Sequence, residues 1–462
     1  MLQVHLESFT ICSRAPIMLL GQWNRAAVAA FAAFLLISSA YLSAQRHSVN
    51  GNLRLPPLVS PKHSSATRLP CRELSGADDT VVVLKTGSTE LQDKLPVHLR
   101  TTLRCYPNRL IFSDLAEQYR GERILDALEE VDPMIKASHQ DFVLYRQLQT
   151  SGRAALHIDQ LSGPASLPEE GTSGKLTNPG WKLDKWKFLP MIRRTLEEYP
   201  DKQWYVFLET DTYIMWGTLL AYLAALDSSK PYYIGSQSQI GDVIFAHGGS
   251  GFVASRSAIA SAVAHYAENK AEWEKFTAAH WAGDCVLGKL FKDSGTSLTW
   301  AWPIWQGDQI GNMEYARVSY GHTLWCCPTV SYHHLNPSVI DDLWNFEQDW
   351  FSEHRENSSL LLRHRDIYAK FILPRILDPR QDWNNLADDD RGSVSSLDEC
   401  RAICQNDFSC VQYSLVGNGR CLTTSDPKLG ETSPGVRSGW LFERMQEFYD
   451  KAKPCGKEEW IM

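Results

Sequence analysis

Trp204-Tyr205-Val206-Phe207-Leu208-Glu209-Thr210-Asp211-Thr212-Tyr213 is an apolar, aromatic run that stops abruptly on two carboxylates. It reads as a buried strand with polar chemistry at its carboxyl end, the edge where open α/β sheets bind ligands. Glu209 and Asp211 are two apart, so on an extended strand both project to one side. Two hard oxygen ligands there suit Mg²⁺ or Mn²⁺ facing a diphosphate. A strand simply ending in polar residues is the competing reading. Acid-x-acid recurs at Glu130-Val131-Asp132 and Asp388-Asp389-Asp390, but neither follows an apolar strand.

Around this strand the pattern alternates. Thr80-Val81-Val82-Val83-Leu84-Lys85-Thr86-Gly87 is a β-branched run closed by glycine and reads as a first strand. A helix is expected over 91–104, a strand over 108–114, and a loop over the Gly-, Pro- and Ser-rich residues 160–180. Residues 181–199 carry Trp181, Lys185, Phe188 and Ile192 at helical spacings of three and four. Strands follow at 232–235 and 243–245, then the turn His247-Gly248-Gly249-Ser250-Gly251, then helices at 255–276 and 284–292. This alternation predicts an α/β domain.

A chain of 462 residues has room for about two or three domains. With 44% apolar and 22% charged residues it has the makings of a full core. A net charge of −8 without a basic stripe argues against a nucleic-acid partner. Residues 26–44 form an uncharged, mostly apolar run between Arg25 and Arg46, long enough to cross an about 30 Å hydrocarbon core as a helix. A type II signal-anchor is expected there. A cleaved signal peptide is the alternative, because Ser38-Ser39-Ala40 resembles a cleavage site. Either way the rest of the chain lies outside the cytosol. The cysteines agree, since all but one of eleven lie beyond this run and can be oxidised there.

The expected organisation is a cytosolic tail (1–25), anchor (26–44), proline-bearing stem (45–75), large α/β domain (76–377), linker (378–392), cysteine module (393–448) and C-terminal tail (449–462). In the module, Cys400 and Cys404 share one face of a helix, which predicts bridges Cys400–Cys421 and Cys404–Cys410. It should stand apart from the large domain, with truncation near Asp388 sparing the chemistry. Asn357-Ser358-Ser359 is a glycosylation acceptor.

Several blocks together resemble one family. Trp181-Lys182-Leu183-Asp184-Lys185-Trp186, the 204–213 strand and Gly248-Gly249-Ser250-Gly251-Phe252-Val253-Ala254-Ser255 come in the order seen in β-1,3-glycosyltransferases of the core 1 galactosyltransferase and fringe type. Gly283-Asp284-Cys285-Val286-Leu287-Gly288 and Val330-Ser331-Tyr332-His333-His334 complete the likeness. The cysteine module resembles a PAN/Apple domain. The resemblance implies a GT-A fold with a mostly parallel central sheet, followed by a small disulfide-stapled α+β domain. It also implies an inverting hexosyltransferase in the Golgi or endoplasmic reticulum membrane. Such an enzyme takes a UDP-sugar and Mn²⁺ or Mg²⁺, and acts on a glycan or glycoprotein in the manner of an N-acetylgalactosaminide β-1,3-galactosyltransferase.

Carried onto this chain, the resemblance implies Glu209, Asp211 and His333 as metal ligands, with His334 as an adjacent competitor. Thr210, Lys185, Gly249 and Gly251 would contact the nucleotide-sugar. Lys182, Lys185 and Lys187 could neutralise phosphates, although a solvated helix face is the favoured reading, and the glycines could form a plain turn. Asp284 would be the base that takes the acceptor proton, or a helix cap. Two departures stand out: Glu209 replaces an aspartate, and Gly283 replaces the first of two acids. Segments 302–307 and 325–327 could line an acceptor cleft or pack in the core, with Cys326 or Cys327 in a disulfide. A glycoside hydrolase is excluded, because Glu209 and Asp211 are too close on one strand to flank a glycosidic bond. A membrane-anchored sugar-binding or adhesion protein with an inactive transferase domain is the remaining alternative.

Overall fold

Strand β1 (Thr80–Lys85) is buried along its whole length, because its alternate residues feed two separate cores. Val82 and Leu84 join one cluster, and Val81 and Val83 join the other. A strand covered on both faces reads as a continuous apolar run, which is how β1 looks in sequence. The computed structural model describes residues 70–162, 178–319, 321–354, 361–417, 419–456 and 460. The expected anchor at 26–44, the tail before it, most of the stem and Asn357 lie outside these residues. Among the described residues no helix is long and apolar enough to cross a membrane.

The central sheet adds β2 (Asn108–Ser113), β3 (Glu117–Tyr119), β4 (Glu122–Asp126), β5 (Trp204–Glu209), β6 (Tyr233–Gly235), β7 (Phe252–Ser255) and β8 (Leu298–Trp300). The strand order is β8-β6-β7-β5-β1-β2-β4-β3. Pairings β1–β2, β1–β5, β2–β4 and β6–β8 are parallel. Those of β7 with β5 and β6, and of β3 with β4, are antiparallel. The sheet is therefore mixed, with its parallel strands at the centre.

One core lies under α1 (Leu91–Arg100), α3 (Trp216–Ala224) and α6 (Pro337–Glu353). The opposite core packs α2 (Trp181–Glu198), α4 (Arg256–Glu268) and α5 (Gly283–Asp293), through residues such as Phe188, Ile259 and Leu287. The expected helix over 255–276 is two helices, α4 and Lys270–Ala279.

Two pairings place the site. Parallel register sets Lys85 of β1 opposite Glu209 of β5. A two-residue ladder then joins Ser331–Tyr332 to Tyr213–Ile214, and the Leu335 N–H donates to the Asp211 carbonyl at 2.9 Å. That ladder carries the His333-His334 pair back to the end of β5.

The C-terminal region departs from expectation. Residues expected as a linker supply β9 (Arg380–Asn384) and β10 (Asp389–Ser393), the two edges of an antiparallel sheet. The other strands are β11 (Gln412–Val416), β12 (Arg420–Thr424) and β13 (Glu431–Trp440), in the order β9-β13-β11-β12-β10. Polar, aspartate-rich sequence forms strands here because edge strands tolerate charge. Helix α7 (Leu397–Asn406) carries Cys400 and Cys404, bonded to Cys421 and Cys410 respectively.

The module also does not stand apart. Val411, Leu429, Trp440 and Met445 belong to the same apolar cluster as Tyr213 and Trp305. Helix α8 (Phe442–Lys451) runs into the expected tail, where Cys455 is bonded to Cys326 and Trp460 lies 5.3 Å from Tyr222. Trp325, a candidate for the acceptor cleft, is buried against Tyr368 and Phe448. At the other end, Cys71 of the expected stem is buried and bonded to Cys105.

Truncation near Asp388 removes part of this shared core, so the shortened chain is expected to lose the cooperative melt of the large domain. Met445→Ala should cost about 2–5 kcal/mol and lower a single transition, as read by circular dichroism. A module that melts alone, leaving the remainder unchanged, would show independence.

A second prediction concerns Glu347 on α6, which is fully buried with Tyr213 Oη donating to it at 2.7 Å. Burial raises its pKa from 4.5 to about 7, against the opposing Tyr213 bond. The folded state therefore holds a proton that the unfolded chain releases at lower pH. Stability from this group is present below pH 4.5 and lost as pH rises through 7. Glu347→Gln should remove a decline of roughly 3 kcal/mol across that window, measured by urea denaturation at pH 5 and pH 8.

Candidate functional site

A cavity of about 360 Å³ opens at the carboxyl ends of β1 and β5. Glu209, Asp211, His333, Asp284, Gly249 and Lys185 all line it. Six of the eight transferase-site residues singled out from the sequence thus converge on one space. Thr210 and Gly251 do not line it. Thr210 is buried just past the end of β5, and its carbonyl meets His98 Nε2 at 2.9 Å. Gly251 sits at φ +78°, and a Cβ there would press on the Phe207 carbonyl and Trp305. Its role is the turn itself.

Asp211 is the electrostatic centre. Its Oδ2 lies 3.2 Å from Lys94 Nζ and its Oδ1 lies 3.2 Å from His333 Nε2. Burial alone would raise its pKa, but Lys94 and His333 outweigh that and hold the carboxyl well below the usual range. Lys94 also pairs with Glu90 at 3.0 Å. Its pKa is raised because the two acids overcome the burial that would lower it. Beside this pair, Lys85 sits between Asp184 at 2.7 Å and Glu209 at 2.9 Å, with the Phe188 ring 4.2 Å away. Burial pushes Glu209 up, yet Lys85 prevails and keeps it ionised.

One atom each from Asp211, His333 and His334 falls within a 4.8 Å sphere of mutual distance, the spacing of a cation site. Asp211 Oδ1 faces His333 Nε2, and the other ring nitrogen of His333, Nδ1, is buried without a hydrogen-bond partner, an exception that calls for a partner such as an ion. The donor set of one carboxylate and imidazoles fits a divalent ion of the Mn²⁺ type. Glu209, the other expected ligand, lies outside this group and pairs with Lys85 at 2.9 Å. The His334 ring lies against His333 with centroids 3.8 Å apart and planes tilted by 32°, and His334 adopts φ +55°. A non-glycine residue in that region costs energy, and here it turns both rings toward Asp211. The close fit also explains Gly249, since a Cβ there would overlap the His333 ring.

Asp284 lies at the start of α5, but the cap position is Ala282. The Asp284 carboxylate instead accepts from the N–H of Gly248 at 3.0 Å and of Cys285 at 2.9 Å. Burial raises its pKa, with the Gly248 bond opposing. Gly283 is required by packing, because a Cβ would strike the Lys185 backbone and Phe188 on α2. No second acid can stand at that position while α2 and α5 stay this close.

Of the three lysines read as phosphate contacts, Lys185 is spent on its surroundings. Its Nζ donates to the carbonyls of His280 at 2.8 Å and Ala278 at 3.2 Å, and pairs with Asp141 at 3.0 Å. Lys187 is buried and donates to the Thr86 carbonyl at 2.8 Å. Lys182 does not line the cavity.

The cations that do face the two acids, Lys85 and Lys94, went unread in the sequence. Lys85 carried a signal, a lone charge closing an apolar strand at the same sheet edge as Glu209. Lys94 carried none. Segment 302–307 borders a smaller cavity of about 240 Å³ through Trp302 and Gln306, while Trp305 is buried.

Comparison with known proteins bears on the class. Residues 187–350 match the family model described as Fringe-like, a stretch that contains Glu209, Asp211, Asp284 and His333. The match supports a glycosyltransferase of the fringe type, a class that uses a nucleotide-sugar donor and a divalent metal. No curated protein matches the chain.

Removing one partner of a buried charge cluster strands the others. Lys94→Met is therefore expected to destabilise the fold by about 3–5 kcal/mol in chelator, and part of that loss should return on adding MnCl₂. Urea denaturation with and without the metal reads both effects. An unchanged midpoint would mean that Asp211 and Glu90 do not depend on Lys94.

Proposed function

We propose that the chain is an inverting, divalent-cation-dependent glycosyltransferase. It moves a hexose, galactose foremost, from a UDP-sugar to a glycan or glycoprotein acceptor through a β-1,3 linkage. The observation that carries this reading is the convergence of Asp211, His333 and Asp284 on one cavity at the carboxyl end of parallel strands. The Fringe-like match over the same residues supports it.

Asp211 and His333, with His334 beside them, would hold the cation, which supplies positive charge opposite the leaving diphosphate. Lys94 fixes Asp211 from behind, so the carboxylate keeps one orientation. Glu209, steadied by Lys85, is left to accept hydrogen bonds from donor hydroxyls.

The acceptor oxygen attacks the anomeric carbon from the face opposite UDP, and its proton passes to the Asp284 carboxylate. The bond from that carbon to the phosphate oxygen breaks, and its electron pair leaves with UDP. Burial of Asp284 raises its pKa, which strengthens it as a proton acceptor. The Gly248 N–H fixes one carboxylate oxygen at 3.0 Å, so the base is oriented before substrate arrives.

Four disulfides, Cys71–Cys105, Cys326–Cys455, Cys400–Cys421 and Cys404–Cys410, fit an oxidising compartment. We place the enzyme in the Golgi lumen, held by residues 26–44 as a type II anchor.

Asp211→Ala is expected to abolish transfer and Mn²⁺-dependent UDP binding in isothermal titration. Equal UDP affinity of that variant in Mn²⁺ and in chelator would remove the cation assignment. Asp284→Asn should lower turnover by roughly two to four orders of magnitude with UDP affinity nearly unchanged. Near-normal turnover in a variant of lowered melting temperature would leave Asp284 structural.

A further inference from the structure

Trp281 is 77% exposed and lines the central cavity three residues before Asp284. A tryptophan left in water forgoes a large apolar burial, so its position calls for a partner. Its loop is not loose. Lys185 Nζ donates to the carbonyls of Ala278 and His280, at the helix end that leads into Trp281. The Ala282 N–H donates to His280 Nδ1 at 3.0 Å, and the His280 and Trp281 rings lie nearly parallel, at 13° with centroids 6.3 Å apart. The chain thus fixes an exposed indole at the cavity mouth, on the segment that leads into the candidate base.

We propose that Trp281 is the platform on which a pyranose ring of the acceptor stacks, so that the acceptor is a sugar presenting an apolar C–H face. This deepens the transferase reading and rests on it. The geometry gives the reason. A ring hydroxyl within hydrogen-bond reach of Asp284 brings its ring alongside the residues that flank Asp284. Gly283 offers no side chain and Ala282 is buried with only a methyl group. Trp281 is the first side chain on that flank able to cover a sugar face. Lys185, read from sequence as a phosphate contact, becomes the residue that positions this platform.

The test uses the secreted luminal chain and four probes, the methyl glycosides of galactose, N-acetylgalactosamine, glucose and N-acetylglucosamine. Saturation-transfer NMR in the presence of UDP and Mn²⁺ reads binding of each, and isothermal titration on the same samples reads UDP. At least one glycoside is expected to receive saturation from the wild-type protein at its ring C–H protons. Trp281→Ala should lose that signal and raise the acceptor KM about tenfold, while kcat, donor hydrolysis without acceptor and UDP affinity stay within twofold. Trp281→Tyr, which keeps an aromatic face, should restore binding, and Trp281→Leu should not. Equal signals in wild type and Trp281→Ala, rescue by leucine, or no signal from any of the four glycosides while UDP binds would each overturn the platform and leave the transferase reading standing. Failure of UDP to bind the wild-type protein would overturn both.

Discussion

A carboxylate with almost no access to water, Asp211, sets the terms for everything around it. Burying an uncompensated charge costs several kcal/mol, so the fold must bring opposite charge to that point from elsewhere in the chain. It does so from two directions. Helix α1 delivers Lys94, and the ladder between Ser331–Tyr332 and Tyr213–Ile214 delivers His333. The sheet order and the crossover that returns residues 331–335 to the end of β5 are two expressions of one demand. A cation bound by Asp211 and His333 would add to a balance that Lys94 already maintains.

How much of this was legible in sequence depends on whether the signal was local. The Glu209/Asp211 strand end could be read because burial and alternation act within ten residues, and the same holds for β1 and α2. The partners of those acids could not. Lys85 meets Glu209 only through the parallel register of β1 and β5, and Lys94 lies more than a hundred residues from Asp211. The resemblance supplied His333 but also suggested Glu209 as a ligand and Lys185 as a phosphate contact. The structure gives Glu209 to Lys85 and gives Lys185 to the loop before α5.

The misreadings of the C-terminal region have a different origin. The polar, aspartate-rich composition of residues 378–392 predicts a linker. They are strands at both edges of a sheet, where backbone pairing on one side suffices and charged side chains face out. The linker-like composition and the module's own disulfides together predict separability. Local staples say nothing about which apolar surface the module buries on its other side, and Trp440 and Met445 bury theirs in the large domain.

That shared core has a consequence for how the protein is made. The turn bearing Asp211, just past the end of β5, is synthesised before half of the chain has emerged, yet part of the cluster that holds Tyr213 is supplied by residues beyond 440. The nascent chain must carry unfinished apolar surface until α8 has left the ribosome. A core completed so late leaves incomplete chains with exposed apolar surface and open to chaperones. Cys326 finds its partner Cys455 only 129 residues further along the chain, whereas the cysteines of α7 have theirs within 21 residues.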